Sequence, residues 1–465
     1  MERLSPLDAS FLYVEDGVTH MDIASCALFE GPAPTYGELV EAIGCKLDRA
    51  RRYRQVVRFV PMQLGAPVWA DDAAFDIEHH VHRSALPAPG GKAELCDLMG
   101  RLMSRELDRR RPLWEAWLVD GLEDGHWALI TKIHHCMADG VSGTGLFAAI
   151  LDVERNPVPT TCAPWEPEPQ PSGLRLLVDA AAHLATSPSS GLRSAGAIVH
   201  APVRVVERLW GVGSGIISYA GHLLPTAPNS LVGPIGAHRR WTWVSAELSD
   251  AKRIGAVYGV TINDVAIAGV TIGLREMLLT RDEPVDSMAF RSLVPVSVRT
   301  DGERDDCNNR VSAIIADLPV CVADPLACLL AVHVELTRLK ASHQAWAGEG
   351  LTALLGSAPT ALVALAERGT MELLRHRPQY TINTVTTNVA GPACPLYLLG
   401  RQMFEFLPFV PIAPGVRVGI AIVSYHGRLA FGITGDEDSA PDVDVLARGI
   451  ENGLAALGKG AGSTG

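Results

Sequence analysis

Apolar residues in this chain follow two rhythms. Short apolar runs closed off by turn residues recur at 21–29, 127–133, 290–298, 313–318, 381–387 and 416–425, with a further run at 429–434. Runs of this kind predict strands. The last two are joined through His426-Gly427-Arg428, a short glycine-containing link that predicts a hairpin. Between the runs, helical patterns occupy 93–107, 143–151, 265–279, 325–341 and 443–457. Strands and helices alternate in both halves, which predicts an α/β fold built in layers.

At 465 residues the chain exceeds the ~250 to 300 at which a single core stops growing, so two lobes are expected. The stretch 156–170 carries Pro157, Pro159, Pro164, Pro167 and Pro169 and reads as a linker. The expected division is a first lobe over 1–155, a linker with crossover helices over 156–230, a second lobe over 231–458, and a disordered Gly/Ser tail over 459–465. Within the linker region, 174–184 and 201–210 read as helices, with Arg193, Arg204 and Arg208 near apolar neighbours. From 209 to 238 no side chain is charged apart from histidine, yet glycines and Pro225, Pro228 and Pro234 interrupt the run. The ~20 unbroken apolar residues of a membrane span are absent. Two readings stand: a surface that touches lipid, and a helical crossover packed on the second lobe.

A net charge of −12 argues against broad nucleic-acid binding, which needs a basic face to displace counterions. The nine cysteines (Cys26, Cys45, Cys96, Cys136, Cys162, Cys307, Cys321, Cys328 and Cys394) form no CxxC pair. They read as reduced thiols in a cytosolic protein. No basic region followed by an apolar core opens the chain, so no signal peptide is expected.

The densest chemistry is His134-His135-Cys136-Met137-Ala138-Asp139-Gly140, directly after the run 127–133. Histidine titrates near neutral pH and can take a proton from an alcohol as that alcohol attacks a carbonyl. Asp139 is placed to brace the turn, and Gly140 admits a backbone angle that other residues resist. Covalent alternatives are weak: Gly140-Val141-Ser142-Gly143-Thr144 misses the nucleophile-elbow pattern at its last position, and a Cys136 nucleophile would need a tuned environment. His79, His80 and His82 cluster without partners at ligand spacing, so no metal is expected.

Further motifs run in order along nearly the whole chain: 6–11 (PLDASF), 111–115 (RPLWE), 233–240 (GPIGAHRR), 261–265 (TINDV), 294–299 (VPVSVR), 308–312 (NNRVS), 387–397 (TNVAGPACPLY) and 424–427 (SYHG). With the HHxxxDG stretch, the series resembles the bacterial wax ester synthase/diacylglycerol acyltransferase family. HHxxxDG alone is shared with condensation domains and plant acyltransferases; the full series is far more specific.

That resemblance implies a two-lobed fold like chloramphenicol acetyltransferase and condensation domains, with a tunnel between the lobes. It gives the general-base role to His135, with His134 as supporting neighbour, acyl-CoA as co-substrate and no cofactor. Arg299 is implied as the partner of Asp139. Asn263 opens a helix and is implied in oxyanion stabilisation, whereas Asp264 is explained by a capping box with Thr261. Pro112, Leu113 and Trp114 bind substrate or pack a core, and 388–397 lines the tunnel or turns the chain. His238-Arg239-Arg240 is a patch for CoA phosphates or a solvated basic corner. The implied reaction is diacylglycerol to triacylglycerol, with long-chain alcohol to wax ester as the alternative. A lipid-droplet surface protein without turnover is the non-enzymatic rival. The expected setting is cytoplasmic, with peripheral association at the inner membrane or lipid droplets.

Overall fold

The computed structural model describes residues 2–137, 149–158, 162, 165–186, 228–297, 311–341 and 381–462. The first half contains β1 (Glu2–Arg3), α1 (Pro6–Val14), β2 (Asp22–Phe29), α2 (Tyr36–Lys46), β3 (Gln55–Arg58), β4 (Val68–Asp71), β5 (Val81–Ala85), α3 (Lys92–Met103), β6 (Trp114–Asp120), β7 (Trp127–His134) and α4 (Gly173–Thr186). The second contains β8 (Arg239–Glu247), α5 (Leu248–Tyr258), α6 (Ile262–Thr280), β9 (Phe290–Ser297), β10 (Val311–Leu318), α7 (Pro325–Ala341), β11 (Thr384–Ala390), β12 (Tyr397–Leu398), β13 (Arg401–Phe409), β14 (Val418–Tyr425), β15 (Arg428–Asp436) and α8 (Val443–Gly462).

Two six-stranded mixed sheets carry the lobes, in the orders β12-β13-β2-β7-β6-β5 and β10-β9-β11-β14-β15-β8. This is the α/β two-lobed architecture that the sequence predicts. β7 lies inside the first sheet, and every one of its residues is buried, so WALITKIH reads as a nearly continuous apolar run instead of an alternation. It pairs antiparallel with β2 from Asp22 opposite His134 to Phe29 opposite Trp127. β14 and β15 form the expected hairpin, with His426 and Gly427 both at positive φ (41° and 86°), as a two-residue turn of this hand requires.

Three differences from the expectations have physical causes. Residues 397–409 fall in the stretch assigned to the second lobe, yet β13 pairs antiparallel with β2 in the first sheet. Such pairing between distant segments leaves no local pattern. Cys45 and Cys162 form a disulfide instead of remaining reduced thiols: the linker returns over α2 and brings their Cα atoms to 4.4 Å across 117 residues. The last helix also continues to Gly462, into the stretch expected to be disordered. There Arg253 Nη1 donates to Gly458 O at 3.1 Å, Ala461 is buried, and Gly460 lies so close to Tyr258 that an added Cβ would sit 2.8 Å from its hydroxyl.

Among the described residues no single helix is long and apolar enough to cross a membrane. α5 and α6 would reach that length only as a pair bent by 102°, and α6 is buried along most of its length.

Candidate active site

β7 ends at His134 and the chain turns at once through a tight 3-10 turn, His135–Met137. The residues just ahead of the neighbouring strands β6 and β2 hold both histidine amides: His134 N–H donates to Leu113 O at 2.9 Å and His135 N–H to Met21 O at 2.8 Å. Cys136 N–H donates to His134 Nδ1 at 3.1 Å. A ring nitrogen that accepts carries no proton, which leaves Nε2 as the protonated position of the His134 ring. That nitrogen faces Glu15 Oε2 at 3.4 Å, with both side chains buried.

The His135 ring is half-buried and stacks on Phe11 of α1, centroids 3.9 Å apart and planes 27° from parallel. Its Nδ1 is enclosed and meets no hydrogen-bond partner among the described residues. Burial above all lowers the His135 pKa to about 4. The imidazole is therefore neutral at neutral pH and able to accept a proton.

Around the pair lies a layer of buried charge. Burial by itself would raise the Glu15 carboxyl, but contacts with His134 and Arg109 outweigh it and hold the group at about 2. Asp22 opposes Lys132 at 3.1 Å, both 1% exposed, and burial is the largest influence raising the Asp22 carboxyl. Lys132 Nζ also donates to Leu102 O at 3.2 Å and to Arg105 O. Glu15, Asp22 and His134 offer donor atoms within 4.8 Å of one another, near enough to share a cation. Lys132 and Arg109 already bring positive charge to the two carboxylates.

Of the residues singled out from sequence, His134 and His135 form this site. Asp139, Gly140 and Arg299 lie outside the described residues. Leu113 and Trp114 are buried: Trp114 Nε1 donates to Tyr53 O at 2.8 Å and the indole stacks on His80 at 4.7 Å, which makes the motif 112–114 a packing element beside the site. Asp264 completes the capping box, its Oδ2 accepting from Thr261 N–H at 2.8 Å, and also meets His333 Nδ1 at 2.7 Å. Asn263 Oδ1 accepts from Asn388 Nδ2 at 2.9 Å, joining two sequence motifs and leaving the Asn263 NH2 as its donor. Gly391 N–H donates to Ser424 O at 2.9 Å, and a Cβ on Gly391 would lie 2.2 Å from that oxygen, so the motif 388–392 turns the chain against β14. The solvated-corner reading of His238-Arg239-Arg240 fails at Arg239, which is buried and donates to Gly236 O, His238 O and Val18 O. Burial, above all, pushes the Cys136 thiol up, and the protonated sulfur is no nucleophile.

Phe11, Glu15, Asp22 and Lys132 were not named as site residues from the sequence. Phe11 stands in the motif 6–11, which carries no sign of what it touches. A lysine inside the apolar run 127–133 is the one local signal, because it demands a buried partner.

Residues 4–266 match the wax ester synthase/diacylglycerol acyltransferase catalytic domain, and residues 307–458 match the C-terminal domain of the same family. The chain belongs to the wax ester synthase/diacylglycerol acyltransferase family. It is accordingly an acyltransferase of neutral-lipid synthesis. Among its relatives is tgs1 of Mycobacterium tuberculosis, described as a probable diacylglycerol O-acyltransferase, 38% identical over 98% of this chain and 96% of that one. The wax ester synthase/diacylglycerol acyltransferase of Marinobacter aquaeolei superposes with a TM-score of 0.68 at 25% identity, covering 99% of this chain and 100% of that one. The trichothecene 15-O-acetyltransferase TRI3 of Fusarium sporotrichioides (TM-score 0.60, 12% identity, 98% of this chain and 94% of that one) shares the fold. So does the starter condensation domain of rhizomide synthetase (TM-score 0.55, 14% identity, with the same coverage). Within the family frame, the histidine turn on β7 is the candidate reaction centre.

Proposed function

We propose that this acyltransferase moves the acyl group of a long-chain acyl-CoA to the free hydroxyl of diacylglycerol, with His135 as general base. The observation that carries the base assignment is a neutral imidazole, stacked on Phe11 and held by its own amide to Met21, at the end of a buried strand. His135 takes the hydroxyl proton as the oxygen attacks the thioester carbonyl. The tetrahedral adduct collapses, the carbon–sulfur bond breaks, and the departing thiolate receives the proton from the imidazolium, giving triacylglycerol and free coenzyme A. Asn263, its oxygen occupied by Asn388, supplies an amide donor at a helix N-terminus for the developing oxyanion. The chemistry uses no cofactor beyond the acyl-CoA itself. The name of tgs1 supports diacylglycerol as acceptor. Wax ester formation from a long-chain alcohol is the second reading, since the Marinobacter relative carries both activities in its name.

Purified protein given palmitoyl-CoA with diacylglycerol or hexadecanol decides between them, with free thiol measured and the lipid product identified by chromatography. His135→Ala is expected to lower kcat by ~100-fold or more with the fold preserved, at or beyond the lower end of general-base contributions. Turnover retained in this variant removes the base assignment.

Diacylglycerol and fatty alcohols reside in lipid, so the enzyme also needs access to a lipid surface. Among the described residues, α4 carries an exposed apolar face. Leu174 (72% exposed) and Val178 (62%) lie one turn apart on the outside of α4, while Leu176 and Ala180 pack inward on Val60 and Val68. The tight turn Pro61–Gln63 abuts the start of α4, and its Met62, at a φ of 54°, is 78% exposed. This face is our proposed contact with membrane or droplet. In liposome flotation the wild type is expected to rise with the vesicles and a Met62→Glu/Leu174→Glu/Val178→Glu variant to stay below; equal flotation of the two removes this face from the contact.

A further inference from the structure

His134 is buried, and its hydrogen bonds with the chain around it fix more than its own orientation. Its Nδ1 accepts the Cys136 amide, which belongs to the peptide immediately after His135. Its Nε2 faces Glu15 Oε2. The other oxygen of Glu15, Oε1, accepts the Met21 amide at 3.1 Å, and Met21 O in turn accepts the His135 amide at 2.8 Å. One carboxylate therefore stands behind both attachments of His135, through His134 on one side and through Met21 on the other. Glu15 is itself fixed, with its side chain 7% exposed and Arg109 donating Nε to Oε2 at 3.1 Å.

We propose that Glu15 is a positioning residue: it holds His134 in the Nε2–H tautomer and clamps the Met21 segment, so that the His135 ring is presented at one angle on Phe11. The inference rests on the reading of His135 as the base. A carboxylate in this position needs no contact with substrate. It acts as the outer partner of a working histidine acts elsewhere, by fixing tautomer and ring orientation, and the loss of such a partner typically costs ~10- to 100-fold in activity. Asp22, also close to His134, cannot substitute in the same way, because Lys132 faces its carboxylate.

The first test needs no variant. In wild-type protein labelled with 15N-histidine, long-range 15N–1H correlation at neutral pH is expected to show His134 with its proton on Nε2. A proton on Nδ1, or on both nitrogens, overturns the proposal. The second test is kinetic. Glu15→Leu removes both acceptor oxygens and is expected to lower kcat by ~10- to 100-fold while the KM for palmitoyl-CoA stays near wild type. Unchanged kcat, or a raised KM with kcat preserved, overturns it. Should Glu15→Leu fail to fold, Glu15→Gln, nearly the same shape and keeping one acceptor oxygen, carries the same comparison with a smaller fall in kcat. Failure of the base reading looks different: His135→Ala turns over while the His134 tautomer stays as described.

Discussion

His135 combines an exposed task with a sheltered ring. The cost of charging an imidazole rises when water is replaced by an aromatic face and strand backbone, and here that lowers its pKa from an ordinary 6.5 to about 4. Only the neutral ring can take a proton, so the acid limb of the kcat profile belongs near 4 instead of near 6.5. Above that limb the base stays competent through neutrality. Phe11→Ala opens one face of the ring to water, and the limb is expected to move up toward 6.5, read from kcat against pH in the two proteins. A limb that stays in place would mean that the sheltering comes from the strands and not from Phe11. The ionisation of Glu15 does not interfere with this measurement, since its carboxyl, held at about 2, remains charged across the range. The sequence made the two histidines legible because they sit together after an apolar run. It left Glu15 and Phe11 illegible, since the histidines they touch lie more than a hundred residues away and nothing local marks the pairing.

Elements here are held together by small residues as much as by large ones. α6 and α8 approach so closely that a Cβ on Gly273 would stand 2.8 Å from Leu446 O, and one on Gly449 would stand 2.7 Å from the Gly273 Cα. Gly273→Ala is expected to destabilise the protein by about 1–3 kcal/mol, the range for overpacking a filled core. Any helix-propensity gain of alanine over glycine, about 1 kcal/mol, works in the opposite direction. Thermal melting distinguishes the two, and a higher melting temperature would show that the helices can part. Helices α3, α4, α6, α7 and α8 and strands β2, β7, β9, β10, β14 and β15 were legible from periodicity, down to the capping box at Thr261 and Asp264, whereas α1, α2, α5, β6, β8 and β13 were not read. β11 was displaced: the run 381–387 predicts a strand that the structure begins at Thr384. Asn383 is turned to local work there, its side chain accepting the Arg291 amide at 2.7 Å, and Thr384 Oγ1 donates to Val418 O at 2.8 Å.

At the scale of the whole molecule, the two lobes are joined by exchange. β13 leaves the second half of the chain to complete the first sheet, and the second sheet grips it in passing. Tyr425 Oη accepts the Leu396 amide at 2.8 Å and donates to Met403 O at 2.9 Å, Trp241 Nε1 donates to Pro408 O at 3.2 Å, and a Cβ on Gly432 would collide with that same carbonyl. Tyr425→Phe leaves an amide and a buried carbonyl without their partner and is expected to cost about 1–3 kcal/mol, measured by urea unfolding. An unchanged midpoint would show that β13 is held by its pairing with β2 alone. The β8 end is tied across as well, through Arg239 N–H to Ser104 Oγ at 2.8 Å. By itself the sequence determined the features of short range: the alternation of strands and helices, the apolar strand delivering two histidines to a turn, the helix caps, and through its ordered motifs the family. Tertiary structure alone decided which distant segments meet. It set Phe11 and Glu15 on the histidines, Lys132 on Asp22, Cys45 on Cys162, Asn388 on Asn263 and β13 on β2. The reason is physical: local periodicity encodes only neighbours along the chain, whereas these pairings come from burying two cores at once and bringing partners to charges caught inside them, as Lys132 meets Asp22.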